Sequence, residues 1–238
     1  MSAWPRARRL SGYNPRVDGF SRAAALLSAL AATTFLFLEP GPTTATSLLA
    51  KGLSVSLLAA LAARRGAWGL AGALACSSAG DLLLEWDRRG LFVAGLSAFL
   101  VAHLFFIALF VRGSRRPLDV TAARAAAALA VLAGGSSVAV WIWPGLGALR
   151  VPVAAYMAVL LAMGVAAQLG RFGTPLVGAG AALFVASDSM IGISAFKTGF
   201  AGSGTLIWCA YYLAQAAITA GWLRHAAAPA PRVTTRRA

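Results

Sequence analysis

Residues 91–111 read LFVAGLSAFLVAHLFFIALFV, a stretch whose single titratable side chain is His103 and whose other residues are apolar or small. At about 1.5 Å per residue, a helix of this length reaches roughly 30 Å, the thickness of the hydrocarbon core of a bilayer. A helix on the surface of a soluble domain keeps one polar face; this stretch has none. Comparable apolar windows fall at roughly 21–38, 45–63, 67–86, 122–142, 149–169, 174–195 and 203–223, so the pattern is that of an all-α polytopic membrane protein with about eight transmembrane helices. Composition agrees: 59% of the residues are hydrophobic, 12% are charged and the mean hydropathy is +0.75, whereas soluble domains are roughly half apolar.

The breaks between windows carry turn formers or charge: Pro40-Gly41-Pro42, Arg64-Arg65, the cluster Glu85 to Arg89, the basic run Arg112 to Arg116, and Pro144-Gly145. In a soluble protein the net charge of +14 would point to nucleic acid. Here the arginines lie in short segments beside apolar runs, where they meet anionic lipid headgroups, and nucleic acid is not an expected partner. One side of the membrane collects Arg6, Arg8, Arg9, Arg16, Arg22, Arg64, Arg65, Arg112, Arg115, Arg116, Arg124, Arg171, Arg224, Arg232, Arg236 and Arg237. The other side has Arg88, Arg89, Arg150 and Lys197. The excess marks the cytoplasmic side, so both termini are expected there and the helix count is even. The expected organisation is a basic cytoplasmic arm over 1–20, retained rather than cleaved as a signal, a transmembrane domain over 21–224, and a disordered cytoplasmic tail over 225–238. Cys76 and Cys209 both fall inside apolar windows and read as small buried residues, with no disulfide framework and no metal-ligand spacing.

Four ionisable groups remain inside the windows: Lys51 in the second, Asp81 in the third, His103 in the fourth and Asp188 in the seventh. A charge at the bilayer centre costs about 2.5 to 3.5 kcal/mol on insertion scales, so each is expected to face the bundle interior. Counted by helical rise, Asp81, Asp188 and Lys51 share a layer about 20 Å from the cytoplasmic side, with His103, Tyr212 and Gln215 one to two turns nearer the midplane. Such a layer fits either a structural ion pair between helices or a reactive pocket open toward the outer leaflet. Two carboxyl groups against one lysine leave an acid in surplus, which general acid chemistry requires. Glu85 and Asp87 read as solvated residues at the outer boundary. Tyr156, Tyr211, Tyr212 and Trp208 read first as packing or interface aromatics, and Gly178, Gly180, Ser187 and Gly192 as small residues permitting close helix approach.

The segments around the two aspartates resemble the lysoplasmalogenase (YhhN-like) family of integral membrane hydrolases. The resemblance rests on Gly80-Asp81-Leu82-Leu83-Leu84; on Phe92, Gly95 and the run Ala98 to Phe106 with His103; on Phe184-Val185-Ala186-Ser187-Asp188-Ser189 with Phe196 downstream; and on Tyr211-Tyr212-Leu213-Ala214-Gln215 with Ile218. It covers most of the membrane region from Lys51 onward and neither the arm nor the tail, with two departures: Gly52 follows Lys51 where the family tends to have Pro, and Phe106 stands where the family favours Tyr.

The resemblance implies hydrolysis of the vinyl ether of a lysoplasmalogen, giving a fatty aldehyde and glycerophosphoethanolamine or glycerophosphocholine. Asp81 and Asp188 are then the catalytic pair, and Lys51, His103, Ser187, Tyr211, Tyr212 and Gln215 bind substrate or line its pocket. The implied partners are a vinyl-ether lysophospholipid and membrane lipids, with no cofactor and no metal. Lys51 is expected to hold one aspartate ionised; Lys197, Arg88 and Arg89 read first as surface anchors at the headgroup layer, with contact to the substrate phosphate as the alternative. The expected location is the bacterial plasma membrane, and the oligomeric state stays open. The competing reading is a proton-coupled transporter of a small or lipid-like solute, because intramembrane Asp and Lys also mark ion paths.

Overall fold

The computed structural model describes residues 18–39, 41–87, 90–114 and 120–228. Eight helices occupy them: α1 Gly19–Leu38, α2 Ala45–Arg64, α3 Trp68–Trp86, α4 Phe92–Gly113, α5 Ala122–Ile142, α6 Arg150–Leu169, α7 Leu176–Phe196 and α8 Ser203–Ala227. The apolar windows therefore locate every helix to within a few residues. Seven are long and apolar enough to cross a bilayer on their own. The remaining one, α3, carries both Asp81 and Glu85, and it packs between α2 and α4. The protein is a multi-pass membrane protein.

Local signals set the helix ends. Thr44 forms a capping box with Ser47 at the start of α2, and Thr121 caps α5. Asp18 caps α1 by accepting the Ser21 amide at 2.8 Å. Its carboxyl group is held below the ordinary aspartate range by its hydrogen bonds to Ser21, with Arg64 and Arg65 adding to the effect. That contribution is present above the ordinary range and is lost as pH falls through the lowered value. Two 3-10 turns, Trp143–Gly145 and Gly147–Leu149, join α5 to α6. α8 continues to Ala227 and so takes in the first residues assigned to the tail. The rest of the tail from 229, the arm up to residue 17, and Arg88, Arg89, Arg115 and Arg116 lie outside the described residues.

Neighbouring helices run α1–α2–α3–α4, then α6, α7 and α8, and α8 returns to touch α2 and α1. The bundle thus closes into a ring, with α5 laid outside against α6 and α7. Leu26, Leu30, Phe37, Leu49, Leu104, Leu129 and Val140 are exposed on the outer faces, while Ser28, Ser54, Ser77, Ser78, Ser187 and Gln215 are buried. This inversion suits a lipid solvent, in which small residues and interhelical hydrogen bonds hold helices together. The Ser28 hydroxyl donates to the Ser54 carbonyl at 2.5 Å and bonds Tyr212 Oη at 2.9 Å, tying α1 to α2 and α8. Trp208 Nε1 donates to the Ala32 carbonyl at 2.9 Å. Cys76 and Cys209 are half-buried and unpaired, rather than fully buried as the sequence suggested.

A close backbone approach joins α7 to α8. A methyl group placed on Gly180 would lie 2.9 Å from the Ala214 carbonyl oxygen and 2.8 Å from the Ile218 side chain. Gly180→Val is therefore expected to lower stability by roughly 1 to 3 kcal/mol, because overpacking against backbone has no soft relaxation. Thermal unfolding of purified protein in detergent checks this. Gly134→Ala, where nothing lies within 4 Å of the added methyl, serves as the neutral control.

Candidate active site

The C-terminal ends of α1, α3 and α7 and the N-terminal ends of α2, α4 and α8 surround a cavity of about 870 Å³. This lies in the range of pockets that enclose a drug-sized ligand. Its rim includes Glu39, Thr43, Trp86, Asp87 and Ser203; deeper in, Asp81 and Asp188 stand on the wall beside Phe99, Ile191 and Tyr211. Both catalytic candidates from the sequence therefore reach one chamber.

Asp81 is carried on α3 and Asp188 on α7, and both are buried. Each carboxyl group receives a phenolic hydroxyl: Tyr211 Oη donates to Asp81 Oδ2 at 2.6 Å, and Tyr156 Oη donates to Asp188 Oδ2. Tyr211 is itself held by Gln215 Nε2 at 3.2 Å. The imidazole of His103 is fully buried; its Nε2 lies 4.0 Å from Asp188 Oδ2, and its ring stands edge-on to Tyr156 and Phe184. α3 can deliver Asp81 here because the preceding residue is Gly80, where a methyl group would stand 2.6 Å from the Phe99 ring. On α4, Gly95 makes a matching approach to Leu84.

Lys51 does reach the cavity, but its ion-pair partner differs from the expected one. Its Nζ lies 3.1 Å from Glu85 Oε2, and both side chains are about nine-tenths buried (11% exposed each). The ammonium also sits 4.9 Å from the Phe35 ring centroid and 5.7 Å from that of Trp208, positions that favour a cation over an aromatic face. Asp81 is within electrostatic reach of Lys51, Asp188 and Glu85, without a direct bond to the lysine. Glu85 is thus not a solvated boundary residue. It lies four residues beyond Asp81, on the same helix face, and that spacing was the available signal. Asp87 instead closes the end of α3 by accepting the Gly90 amide at 2.9 Å.

The other expected pocket residues divide. Tyr211 lines the cavity, whereas Tyr212 turns away to Ser28 and stacks on Trp208. Ser187 is occupied by the Ile207 carbonyl at 3.1 Å, bracing α7 against α8. Gln215 and His103 sit behind the wall, one shell from the cavity. Lys197 is exposed at the end of α7 and is not among the lining residues. Phe106 is fully buried and stacks on Phe110, away from the cavity, so the missing hydroxyl removes nothing from its wall. Gly52 leaves α2 unbroken and faces Leu82. Beside Glu85, two further participants carry no site assignment from the sequence: Tyr156, which reads there as packing, and Glu39, which lines the rim and accepts Thr205 Oγ1 at 3.3 Å.

The described residues thus form a helical membrane bundle that holds two acids, from distant parts of the chain, on the wall of one chamber. The model of the YhhN family matches residues 46–222, and the chain belongs to that family. It is 42% identical over 159 residues to the lysoplasmalogenase of Mycobacterium tuberculosis, covering 63% of this chain and 58% of that protein. It is 32% identical over 163 residues to human lysoplasmalogenase TMEM86B, covering 68% of this chain and 66% of that protein. The chain thus spans less than two thirds of the length of these relatives. No solved structure matches it.

Removing one member of the buried pair strands the other. Glu85→Ala is expected to lower stability by about 3 kcal/mol by leaving the Lys51 ammonium without its counter-ion. Glu85→Ala combined with Lys51→Met should recover most of that loss; equal melting temperatures for the single and double variants would show that the pair is not the cause.

Proposed function

We propose that this protein is a lysoplasmalogenase: an intramembrane ether hydrolase that cleaves the vinyl ether of a lysoplasmalogen to a fatty aldehyde and a glycerophospho-alcohol. The reading rests on one observation, the pair of phenol-bonded aspartates on the wall of a single cavity, and it agrees with the names of the relatives. The proposed orientation puts both termini in the cytoplasm of a bacterial cell, so that the cavity opens toward the outer side of the plasma membrane. The headgroup then stays near the rim and the single tail lies among apolar helix faces.

The chemistry needs two carboxyl groups in different roles. One gives its proton to the vinyl carbon distal to oxygen, leaving an oxocarbenium ion. Water adds to the carbon that bears the oxygen and loses a proton to the second carboxylate, forming a hemiacetal. In the collapse of the hemiacetal the second carboxyl gives its proton to the glycerol oxygen as that C–O bond breaks, and the hemiacetal hydroxyl gives its proton to the first carboxylate as the aldehyde forms, which restores both groups. Glycosidases pose a similar demand, with two carboxyl groups about an oxocarbenium-like transition state. Tyr156 and Tyr211 fix the two carboxyl groups, so that little reorganisation is left for the reaction itself.

The transporter reading predicts interrupted helices at the substrate site. Here α2, α3, α4, α6, α7 and α8 run unbroken past the acids, which favours the hydrolase.

Asp81→Asn and Asp188→Asn should each abolish aldehyde release from lysoplasmalogen, with unchanged membrane insertion and melting. Full activity in either variant would refute the assigned chemistry. Tyr156→Phe leaves Asp188 in place without its donor and should cost roughly 10- to 100-fold in kcat. Both are read by an aldehyde assay on detergent-solubilised protein.

A further inference from the structure

A hydrolase whose cavity mouth is filled by lipid must still obtain water. Four of the buried polar atoms that make no hydrogen bond to protein among the described residues belong to the helices that carry or face the acids: Ser77 Oγ on α3, His103 Nε2 on α4, and Gln215 Oε1 and Thr219 Oγ1 on α8. All four residues are almost completely buried, at 0% exposure for Ser77, His103 and Gln215 and 2% for Thr219. Buried polar groups are normally satisfied, by protein or by ordered water, and orphans in a bilayer interior are costly.

Their placement is not scattered. Ser77 lies four residues before Asp81 on α3, hence one turn deeper on the same face. Gln215 and Thr219 lie four and eight residues beyond Tyr211 on α8, which runs in the opposite sense, so they too descend from the site toward the end of the bundle where α3 begins. The hydrogen bond from Tyr211 to Asp81 joins these two helices at the top of the column. His103 approaches from α4, with Nε2 4.0 Å from Asp188, a separation at which a direct hydrogen bond is absent. Hydroxyl, amide and imidazole groups from three helices thus offer both donors and acceptors, the combination that holds a small water cluster.

We propose that Ser77, His103, Gln215 and Thr219 hold an internal water site beneath the aspartates, and that this site supplies the hydrolytic water while lipid occupies the cavity. The second half of this statement rests on the hydrolase reading; the first does not. The groups act as positioning residues, since they hold water rather than touch the lipid. Their pairing with water also explains why four polar side chains persist where apolar ones would pack.

Hydroxyl-radical footprinting of the full chain in lipid nanodiscs tests the water site itself. Radicals formed from bound water should oxidise His103, while Met163, equally buried at 0% exposure but on α6 within the hydrophobic core, should stay unlabelled. In the Ser77→Ala, Thr219→Val double variant, labelling of His103 should fall. In the same variant kcat for aldehyde release should drop about tenfold with KM unchanged. A merely structural role predicts the reverse: removing orphaned hydroxyls leaves melting unchanged or raised and activity intact. His103 labelled no more than Met163, or full kcat in the double variant, overturns the proposal. A wild-type protein that labels His103 but yields no aldehyde supports the water site and refutes the hydrolase reading.

Discussion

A carboxyl group inside a bilayer is cut off from bulk water, and the two tyrosine hydroxyls that meet Asp81 and Asp188 are the protein contacts that the bundle provides. Each bond crosses between helices, α8 to α3 and α6 to α7. The acids can therefore share a chamber only if the ring of helices closes. Closure is carried by small polar links, such as the Ser28 hydroxyl to Ser54 and the Trp208 indole to Ala32, together with the backbone contact at Gly180. Packing between lipid-facing surfaces alone would give no unique arrangement, because lipid tails are as apolar as leucine.

Charge is managed separately from chemistry. Lys51 and Glu85 neutralise one another beside the cavity, and the aromatic rings of Phe35 and Trp208 enclose the ammonium. The lysine therefore contributes a field to Asp81 from a fixed position and does not occupy its oxygens. Asp81 and Asp188 stay accessible on the cavity wall, each with one oxygen engaged by a phenol.

The helices were legible because an apolar run of about twenty residues has one physical meaning, and the windows fell within a few residues of every helix. The two aspartates were legible for the same reason: a charge inside such a run must have a use or a partner. What sequence could not convey was rotation about the helix axes. Tyr211 and Tyr212 are adjacent and alike in composition, yet one faces the cavity and the other faces Ser28. Glu85 was placed at the water boundary because it lies near a helix end. Its spacing from Asp81 pointed inward, and the bundle followed the spacing. Tyr156 gave little signal, since a lone tyrosine in an apolar run looks the same whether it packs or donates.

The two tyrosine bonds also differ in when they can form. Tyr156 precedes Asp188 by 32 residues, so its hydroxyl is already inserted when α7 leaves the ribosome. Asp81 must wait for Tyr211, 130 residues later, which at roughly 10 residues per second is on the order of ten seconds of synthesis. Over that interval the first half of the protein sits in the membrane with an acid whose final donor does not yet exist, and only the arrival of the last helix completes it. Biogenesis is thus least secure at α3, the helix with the weakest claim to the bilayer, whose acid gains its phenol only when α8 arrives.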